Sequence, residues 1–228
     1  MVLPDLGPVW LTFQLAGIAV LILLLVGTPI AWWLAFTPSR ARVVVESIVA
    51  LPLVLPPTVL GFYLLVLLGP RGPVGAFWLD LFGHTLTFSF AGLVVASVLY
   101  SMPFVVQPLQ GAFEAVGRDP LEAAATLRAS PLDAFLTVAS PMALRGYVTA
   151  IVLGFAHTVG EFGVVLMVGG NIPGATRVVS IAIYEDVETL DYHSAHLLSA
   201  GLLVFAFVVL LTVYVFNRRF PVHGAPVA

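Results

Sequence analysis

Five long apolar stretches, separated by short polar segments, dominate the pattern of residues along the chain. They lie at about residues 9–36, 44–68, 86–109, 141–168 and 197–216. A helix that crosses a bilayer needs roughly 20 predominantly apolar residues. The pattern therefore predicts an all-α membrane protein with about five transmembrane helices. A shorter apolar start at residues 178–184 predicts a further helix that lies along the membrane surface.

Composition supports a membrane environment for the whole chain. The 228 residues are 60% hydrophobic and 9% charged, and the mean hydropathy is +1.07. Soluble domains carry about 25% charged residues. Because a water-soluble fold could not bury this much apolar surface, we expect a single transmembrane domain over residues 1–228.

Residue types that are absent exclude several kinds of chemistry. All nine basic residues are arginines, so a phosphate-binding loop that ends in lysine is excluded and any ATP must be bound by another chain. Cysteine is absent, which excludes disulfides and thiolate metal sites. We therefore expect a transport or structural subunit, not an enzyme, with no cofactor, no metal and no nucleic-acid partner.

The arginines also predict the orientation of the helices. Cytoplasmic loops of membrane proteins carry an excess of basic residues. If the loop after the first span is inside, only Arg71 and Arg177 lie outside, and seven arginines lie inside: Arg40, Arg42, Arg118, Arg128, Arg145, Arg218 and Arg219. This arrangement places the N-terminus outside and the C-terminus inside.

The cytoplasmic segment 110–140 is predicted to contain two short helices. Three pairs of residues place a capping side chain before a proline at the first helical position: Asp119-Pro120, Ser130-Pro131 and Ser140-Pro141. Glu122 and Asp133 follow the first two caps by three residues, as in a capping box. The first helix, at residues 120–129, has small alanines that would let it enter a groove on a partner. A helix of good alanine propensity without a partner is the alternative.

This segment resembles the EAA loop of ABC importer permeases. The resemblance rests on Glu122-Ala123-Ala124, on Val138 at an aliphatic position and on Pro141. It implies that the first helix docks on an ATPase subunit through residues of this loop: Asp119, Pro120, Glu122, Ala123, Ala124, Thr126, Leu127, Arg128, Ser130 and Pro131. Two residues depart from the pattern. Ser140 replaces a leucine, and Arg128 replaces a glycine that allows a sharp turn, which weakens the expectation of a turn.

The second and fourth spans contain features that a simple membrane helix lacks. Prolines in the run from Leu51 to Gly61 break the helical ladder, which a bilayer tolerates only where protein or a watery cavity satisfies the backbone. The break is either a packed kink or part of a transport pathway. The candidate pathway or gate residues are Pro56, Pro57, Thr58, Gly160, Glu161, Gly163 and Asn171.

Three stretches resemble molybdate permeases more specifically. They are the proline run of the second span, the Gly160-Glu161-Phe162-Gly163 motif, and the Gly169-Gly170-Asn171-Ile172-Pro173-Gly174 segment with the following Ile181-Ala182-Ile183-Tyr184. The resemblance implies a type I ABC importer permease in the inner membrane of a prokaryote. It also implies a homodimer, two ATPase subunits that bind ATP and magnesium inside, and a substrate-binding protein outside.

Glu161 is an ionisable group in an apolar span, which is a functional feature by default. A fixed carboxylate would repel a dianion, so we favour a structural or gate-positioning role over contact with the substrate. His157 lies one helical turn earlier and is predicted to pair with it.

Other functions remain open at this stage. The expected substrate is molybdate, and tungstate or sulfate and thiosulfate are alternatives with the same architecture. A secondary transporter or channel that needs no ATPase would show inverted repeats and ionisable groups near the membrane midplane, and the sequence shows neither. A membrane scaffold would leave the loop at 110–140 without a purpose.

Overall fold

The computed structural model describes residues 5–219, which form twelve α-helices and one π-helical turn. In chain order the helices are α1 (Gly7–Phe36), α2 (Ala41–Val54), α3 (Pro57–Leu68), α4 (Pro73–Phe82), α5 (Phe90–Val116), α6 (Asp119–Thr126), α7 (Pro131–Ala134), α8 (Ser140–Met142), α9 (Leu144–Gly160), α10 (Gly163–Gly169), α11 (Val179–Glu188) and α12 (Tyr192–Arg219). The π-helical turn, Phe135–Ala139, joins α7 to α8.

Three of these helices are long and apolar enough to cross a membrane unbroken, namely α1, α5 and α12. Two bent pairs also qualify when each pair is counted as one span, α2 with α3 and the α7–α8 segment with α9. The prediction of an all-helical membrane fold is therefore confirmed, with three to five candidate spans within the described residues. The orientation of the termini stays a prediction, and residues 1–4 and 220–228 lie outside the described range.

The break that the prolines predicted in the second span is present, and it is sharp. The axes of α2 and α3 meet at 114°. Leu55 and Pro56 are both extended, with ψ of 136° and 135°, because a residue that precedes a proline is driven out of the helical region. Pro57 then begins α3, where its missing N–H costs nothing.

The fourth span is also not the single helix predicted at 141–168. The α7–α8 segment meets α9 at 71°, and α9 ends at Gly160. Glu161 is extended and Phe162 has φ −131° and ψ −61°, so the chain leaves the helix for two residues before α10. Because the apolar pattern continues through this break, the sequence did not reveal that the helix is interrupted.

The short helices α11 and α4 compare differently with the sequence analysis. The helix predicted from the apolar start at residues 178–184 is present as α11, and a hydrogen bond from the Val179 N–H to the Thr12 Oγ1 (2.8 Å) connects it to α1. Its position along the membrane surface stays a prediction. Sequence reasoning missed α4, although Pro73 at its first position and Gly83 after its end are typical helix boundaries. Gly83 has φ 74°, the left-handed conformation that favours glycine at a helix C-terminus.

The core lies where α1, α5 and α9 pack together. Its fully buried side chains include Leu23, Leu34, Val105, Leu109 and Phe113. By contrast, α12 exposes large apolar side chains such as Leu203 and Phe207. Such a surface requires lipid or another apolar partner.

The close approach of α9 to α5 gives a stability prediction. A methyl group on Gly146 would overlap the Cβ of Ala112, whereas one on Gly111 would meet nothing within 4 Å. We expect Gly146→Ala to lower the free energy of unfolding by about 1–3 kcal/mol through overpacking. Gly111→Ala, the matched control, should be neutral or stabilise by up to about 1 kcal/mol through helix propensity. Thermal unfolding of the purified protein in detergent measures both, and equal melting temperatures would contradict this packing.

Candidate functional site

The first candidate site is the loop helix α6, whose alanine face is divided between the interior and the surface. Ala124 is 8% exposed and packs inward. Ala123, Ala125 and Thr126 are exposed, and Leu127 is exposed over 84% of its surface. A solvent-facing leucine beside small side chains is the kind of surface that a partner's groove covers. The exposed face of this segment therefore includes Ala123 and Leu127, and Ala124 packs beneath it.

Short connections fix the position of α6 relative to the long helices. The helix α5 ends at Val116, and only Gly117 and Arg118 precede α6. Gly117 has φ 70°, and the Arg118 Nη2 donates a hydrogen bond to the Phe36 carbonyl oxygen at the end of α1 (3.1 Å). This loop helix is therefore attached to the ends of both α1 and α5.

Arg128 occupies the position where the EAA pattern has glycine, and it adopts the glycine conformation. Its φ is 64°. Its N–H donates to the Ala125 carbonyl oxygen (3.0 Å), and the Ala129 N–H donates to the Ala124 carbonyl oxygen (3.1 Å). These two bonds are those of a Schellman motif at the end of a helix. The expectation that an arginine here weakens the turn is wrong, because both hydrogen bonds of the turn form with Arg128 in the left-handed conformation.

The predicted helix caps of this loop are correct at one position in three. The Ser130 Oγ accepts a hydrogen bond from the Asp133 N–H (3.2 Å) and caps α7. Asp119 lies inside α6, which Arg118 precedes without a side-chain cap, and Ser140 lies inside a continuous helical path. The first loop helix also ends earlier than predicted, at Thr126. The capping signal at Ser140 was overridden because the chain reaches it already helical, from the π-helical turn.

The second candidate site is a cavity of about 550 Å³ beside the two broken helices. It collects five of the seven candidate pathway residues, and its full lining is Pro57, Thr58, Tyr100, Ala156, His157, Gly160, Glu161, Phe162 and Gly163. Pro56 lies at the bend immediately before the lining. Tyr100, Ala156 and Phe162 were not among the candidates. Phe162 could have been found, because it lies inside the Gly160-Glu161-Phe162-Gly163 motif, whereas nothing in the sequence context of Tyr100 and Ala156 separates them from ordinary core residues.

Glycines bring the two broken helices together. A methyl group on Gly163 would lie 2.8 Å from the Pro57 Cβ, and one on Gly61 would lie 2.8 Å from the Met167 Cβ. Small residues of this kind allow close packing of helices in membranes. The start of α10 therefore rests directly on the proline bend, and both breaks face the same cavity.

Glu161 lies at the second break, and its carboxyl group is buried. The side chain is 3% exposed, and neither carboxyl oxygen has a hydrogen-bond partner among the described residues. The Ser97 hydroxyl lies beside it and is also unpaired. The backbone carbonyl of Glu161 accepts a hydrogen bond from the Ser180 hydroxyl of α11. Glu161 thus connects the cavity wall to α11.

The predicted pair between His157 and Glu161 does not form. The His157 Nδ1 is hydrogen-bonded with the Ser101 Oγ (2.9 Å), and its ring stacks on Phe104 at a centroid distance of 3.9 Å. The prediction assumed an unbroken helix with the two residues on one face. Because α9 ends at Gly160, Glu161 leaves that face.

Asn171 lies outside the cavity. Its Oδ1 accepts a hydrogen bond from the Arg177 Nε (2.7 Å), and the Arg177 Nη2 pairs with Glu185 (3.0 Å). In the same loop, the Ile172 carbonyl oxygen accepts hydrogen bonds from the backbone N–H groups of residues 175–177. In this structure Asn171 supports a loop and does not contact the pathway candidates.

A comparison with protein families identifies the class. The model of the family described as "Binding-protein-dependent transport system inner membrane component" matches residues 27–220. The chain therefore belongs to this family, and it is a multi-pass protein of a prokaryotic inner membrane.

Individual relatives narrow the comparison further. The molybdenum transport system permease protein ModB of Azotobacter vinelandii is 60% identical over 216 residues, which cover 95% of each chain. The sulfate transport system permease protein CysT of Synechocystis is 34% identical over 202 residues, covering 89% of this chain and 70% of the relative. A bacterial alginate ABC transporter structure shares the fold, with a TM-score of 0.74, 17% identity and coverage of 96% of this chain and 80% of that one.

The positive φ at Arg128 gives a prediction for the loop. A residue with a Cβ in the left-handed region costs about 1–2 kcal/mol relative to the right-handed one, and glycine avoids this cost. We expect Arg128→Gly to raise the free energy of unfolding by about 1 kcal/mol. Arg128→Ala is the control, because it removes the side chain but keeps the strain.

Thermal melting in detergent and the rate of limited proteolysis in the loop would both report the change. If Arg128→Gly were no more stable than Arg128→Ala, the left-handed conformation would be wrong.

Proposed function

We propose that this chain is the membrane-spanning permease subunit of an ABC importer that carries molybdate into the cytoplasm, driven by ATP hydrolysis on a partner subunit. The observation that carries the proposal is the 60% identity to a molybdenum transport permease over 95% of both chains. The exposed face of α6 and the cavity at the two helix breaks are consistent with it, since they provide a docking surface and a space for a small ion.

The proposed assembly is a homodimer with two ATPase subunits inside and a substrate-binding protein outside. The cavity supports a second copy, because Pro57, Thr58 and Gly160 line it and are exposed in the single chain. Helix breaks at membrane depth need protein or water around them. A partner copy across a two-fold axis would close this side of the cavity.

In this proposal, ATP hydrolysis acts on the permease through the coupling loop at residues 110–140. In the proposed cycle the ATPase subunits bind ATP, approach each other and carry α6 with them. Because α6 is joined to α5 by two residues and to α1 by the Arg118 hydrogen bond, its displacement moves the long helices. The cavity then opens alternately to the outside, where it receives the anion, and to the cytoplasm.

The cavity wall suits brief passage of a dianion and not tight binding. Thr58 and Tyr100 supply hydroxyl donors, and His157 is the basic side chain of the lining. No arginine belongs to this lining. A site without a permanent positive charge would release its anion readily, so selection between oxyanions would reside largely in the binding protein.

Sulfate is the competing substrate with a specific observation in its favour, the 34% identity to CysT. Tungstate and thiosulfate share the same chemistry of a small dianion. The higher identity to ModB favours molybdate over all three.

Uptake into vesicles tests the proposed function. The permease, its ATPase and its binding protein would be reconstituted, and uptake of molybdate would be measured with and without internal ATP. We expect uptake to require ATP. We also expect a tenfold excess of sulfate to reduce molybdate uptake only slightly, which would show that the system prefers molybdate by more than about 1.4 kcal/mol. Uptake without ATP, or faster uptake of sulfate, would contradict the proposal.

Docking through α6 gives a further prediction. Leu127→Asp places a charge at the centre of the exposed face, and we expect it to abolish copurification of the ATPase and uptake. Because Leu127 is 84% exposed, the isolated permease should keep its melting temperature. Leu190→Asp is the matched control, an exposed leucine (70%) with positive φ in a predicted outer loop. Normal copurification of Leu127→Asp would show that the partner binds elsewhere.

Glu161 gives a prediction about substrate choice. Its carboxyl group is closed in and does not face the cavity freely. Glu161→Gln should therefore reduce transport or assembly without changing the ratio of molybdate to sulfate uptake in the same vesicles. A changed ratio would mean that this side chain contacts the anion.

A further inference from the structure

A polar cluster joins the beginning of α2 to the end of α5. It consists of Arg42, Glu46, Gln110 and Glu114. The Arg42 guanidinium bridges both carboxylates, with Nε at 2.8 Å from the Glu46 Oε1 and Nη2 at 2.5 Å from the Glu114 Oε1. The Gln110 amide donates to the same two carboxylates, at 2.7 and 3.1 Å. Each group of the cluster is therefore bonded to two others or more.

The cluster lies directly beside the proposed coupling loop. Glu114 is in the last turn of α5, and α6 begins five residues later at Asp119. On the other side, Arg42 is in the first turn of α2. The cluster therefore connects the second span to the point where motion of α6 enters the long helices.

Packing alone holds α2 weakly. Of its fourteen residues only Val49 is buried, while Val43, Val44, Ile48 and Val54 are more than half exposed. A helix with so little buried surface has little apolar attachment to its neighbours. The four polar groups therefore add to the attachment of α2 that Val45 and Val49 provide by packing against the core.

The far end of α2 reaches the cavity. A helix of fourteen residues is about 21 Å long at 1.5 Å per residue. It ends at the proline bend, immediately before Pro57 and Thr58 of the cavity wall. The helix is continuous from Ala41 to Val54, through Pro52, so a displacement imposed on Arg42 can reach the bend along a single element.

We propose that Arg42, with Glu46, Gln110 and Glu114, transmits the motion of the coupling helix to the proline bend that lines the cavity. These are positioning residues, since none of them contacts the cavity. The proposal rests on the proposed function, because it requires a motor that moves α6. Without the cluster, α6 and α5 move but α2 does not follow, and ATP is hydrolysed without productive transport.

Charge reversal tests the cluster in the reconstituted complex of permease, ATPase and binding protein. Arg42→Glu places three carboxylates together, and repulsion should separate α2 from α5. We expect ATP hydrolysis to continue while the molybdate moved per ATP falls about fivefold or more. The double variant Arg42→Glu with Glu114→Arg restores one arginine between two carboxylates and should recover most of the loss.

Arg40→Glu is the matched control, because Arg40 is exposed two residues away and makes no ion pair among the described residues. It should behave as the unaltered protein. If Arg42→Glu matched Arg40→Glu, or if the double variant folded but recovered nothing, the transmission role would be wrong while the proposed function stood. Uptake independent of ATP in the unaltered complex would overturn both.

A distance measurement tests the same idea without disturbing the cluster. The chain has no cysteine, so spin labels can be placed at Ala41→Cys and Ala115→Cys, two exposed positions next to the cluster. We expect the distance between the labels to be the same in the nucleotide-free and the ATP-bound complex, because α2 and α5 move together here. A distance that changes between the two states would overturn the proposal.

Discussion

The constraint on which this structure depends is that a backbone group that leaves a helix inside a bilayer finds no water to bond. The chain leaves its helices within apolar stretches at Pro56 and at Glu161. The glycine contact between Gly163 and Pro57 brings the two breaks together, and the Ser180 hydroxyl satisfies the Glu161 carbonyl. Both irregular segments therefore border the same cavity.

Sequence reasoning succeeded where the controlling interactions are local. The apolar length of a span and the end of a helix at Pro56 and Pro57 are properties of a few consecutive residues. The cap at Ser130 is equally local. The EAA resemblance located α6 correctly, even though the helix ends three residues earlier than predicted.

Sequence reasoning failed where contacts between residues far apart in the chain decide the local structure. The 114° angle between α2 and α3 depends on the packing of α3 against α10, which are about a hundred residues apart in sequence. The partner of His157 could not be predicted because the break at Glu161 lies within a continuous apolar pattern. Arg128 was expected to oppose a turn, but the Schellman hydrogen bonds of its neighbours hold it in the left-handed conformation.

The two candidate sites lie at opposite ends of one connected set of helices. The loop helix α6 is attached to α5 and α1, the polar cluster attaches α5 to α2, and α2 ends at the cavity. This order of contacts gives a physical route by which a partner on the loop side can alter the surroundings of Thr58 and Glu161.

Access of water to the helix breaks tests the central claim most directly. In the chain without native cysteines, Thr58→Cys and Gly160→Cys would be compared with Leu203→Cys on the exposed apolar face of α12. The thiolate is the reactive form, and it does not form in lipid. We predict that a water-soluble maleimide labels positions 58 and 160 in membranes and leaves position 203 unlabelled. Equal inertness at all three positions would contradict a water-filled cavity at the two breaks.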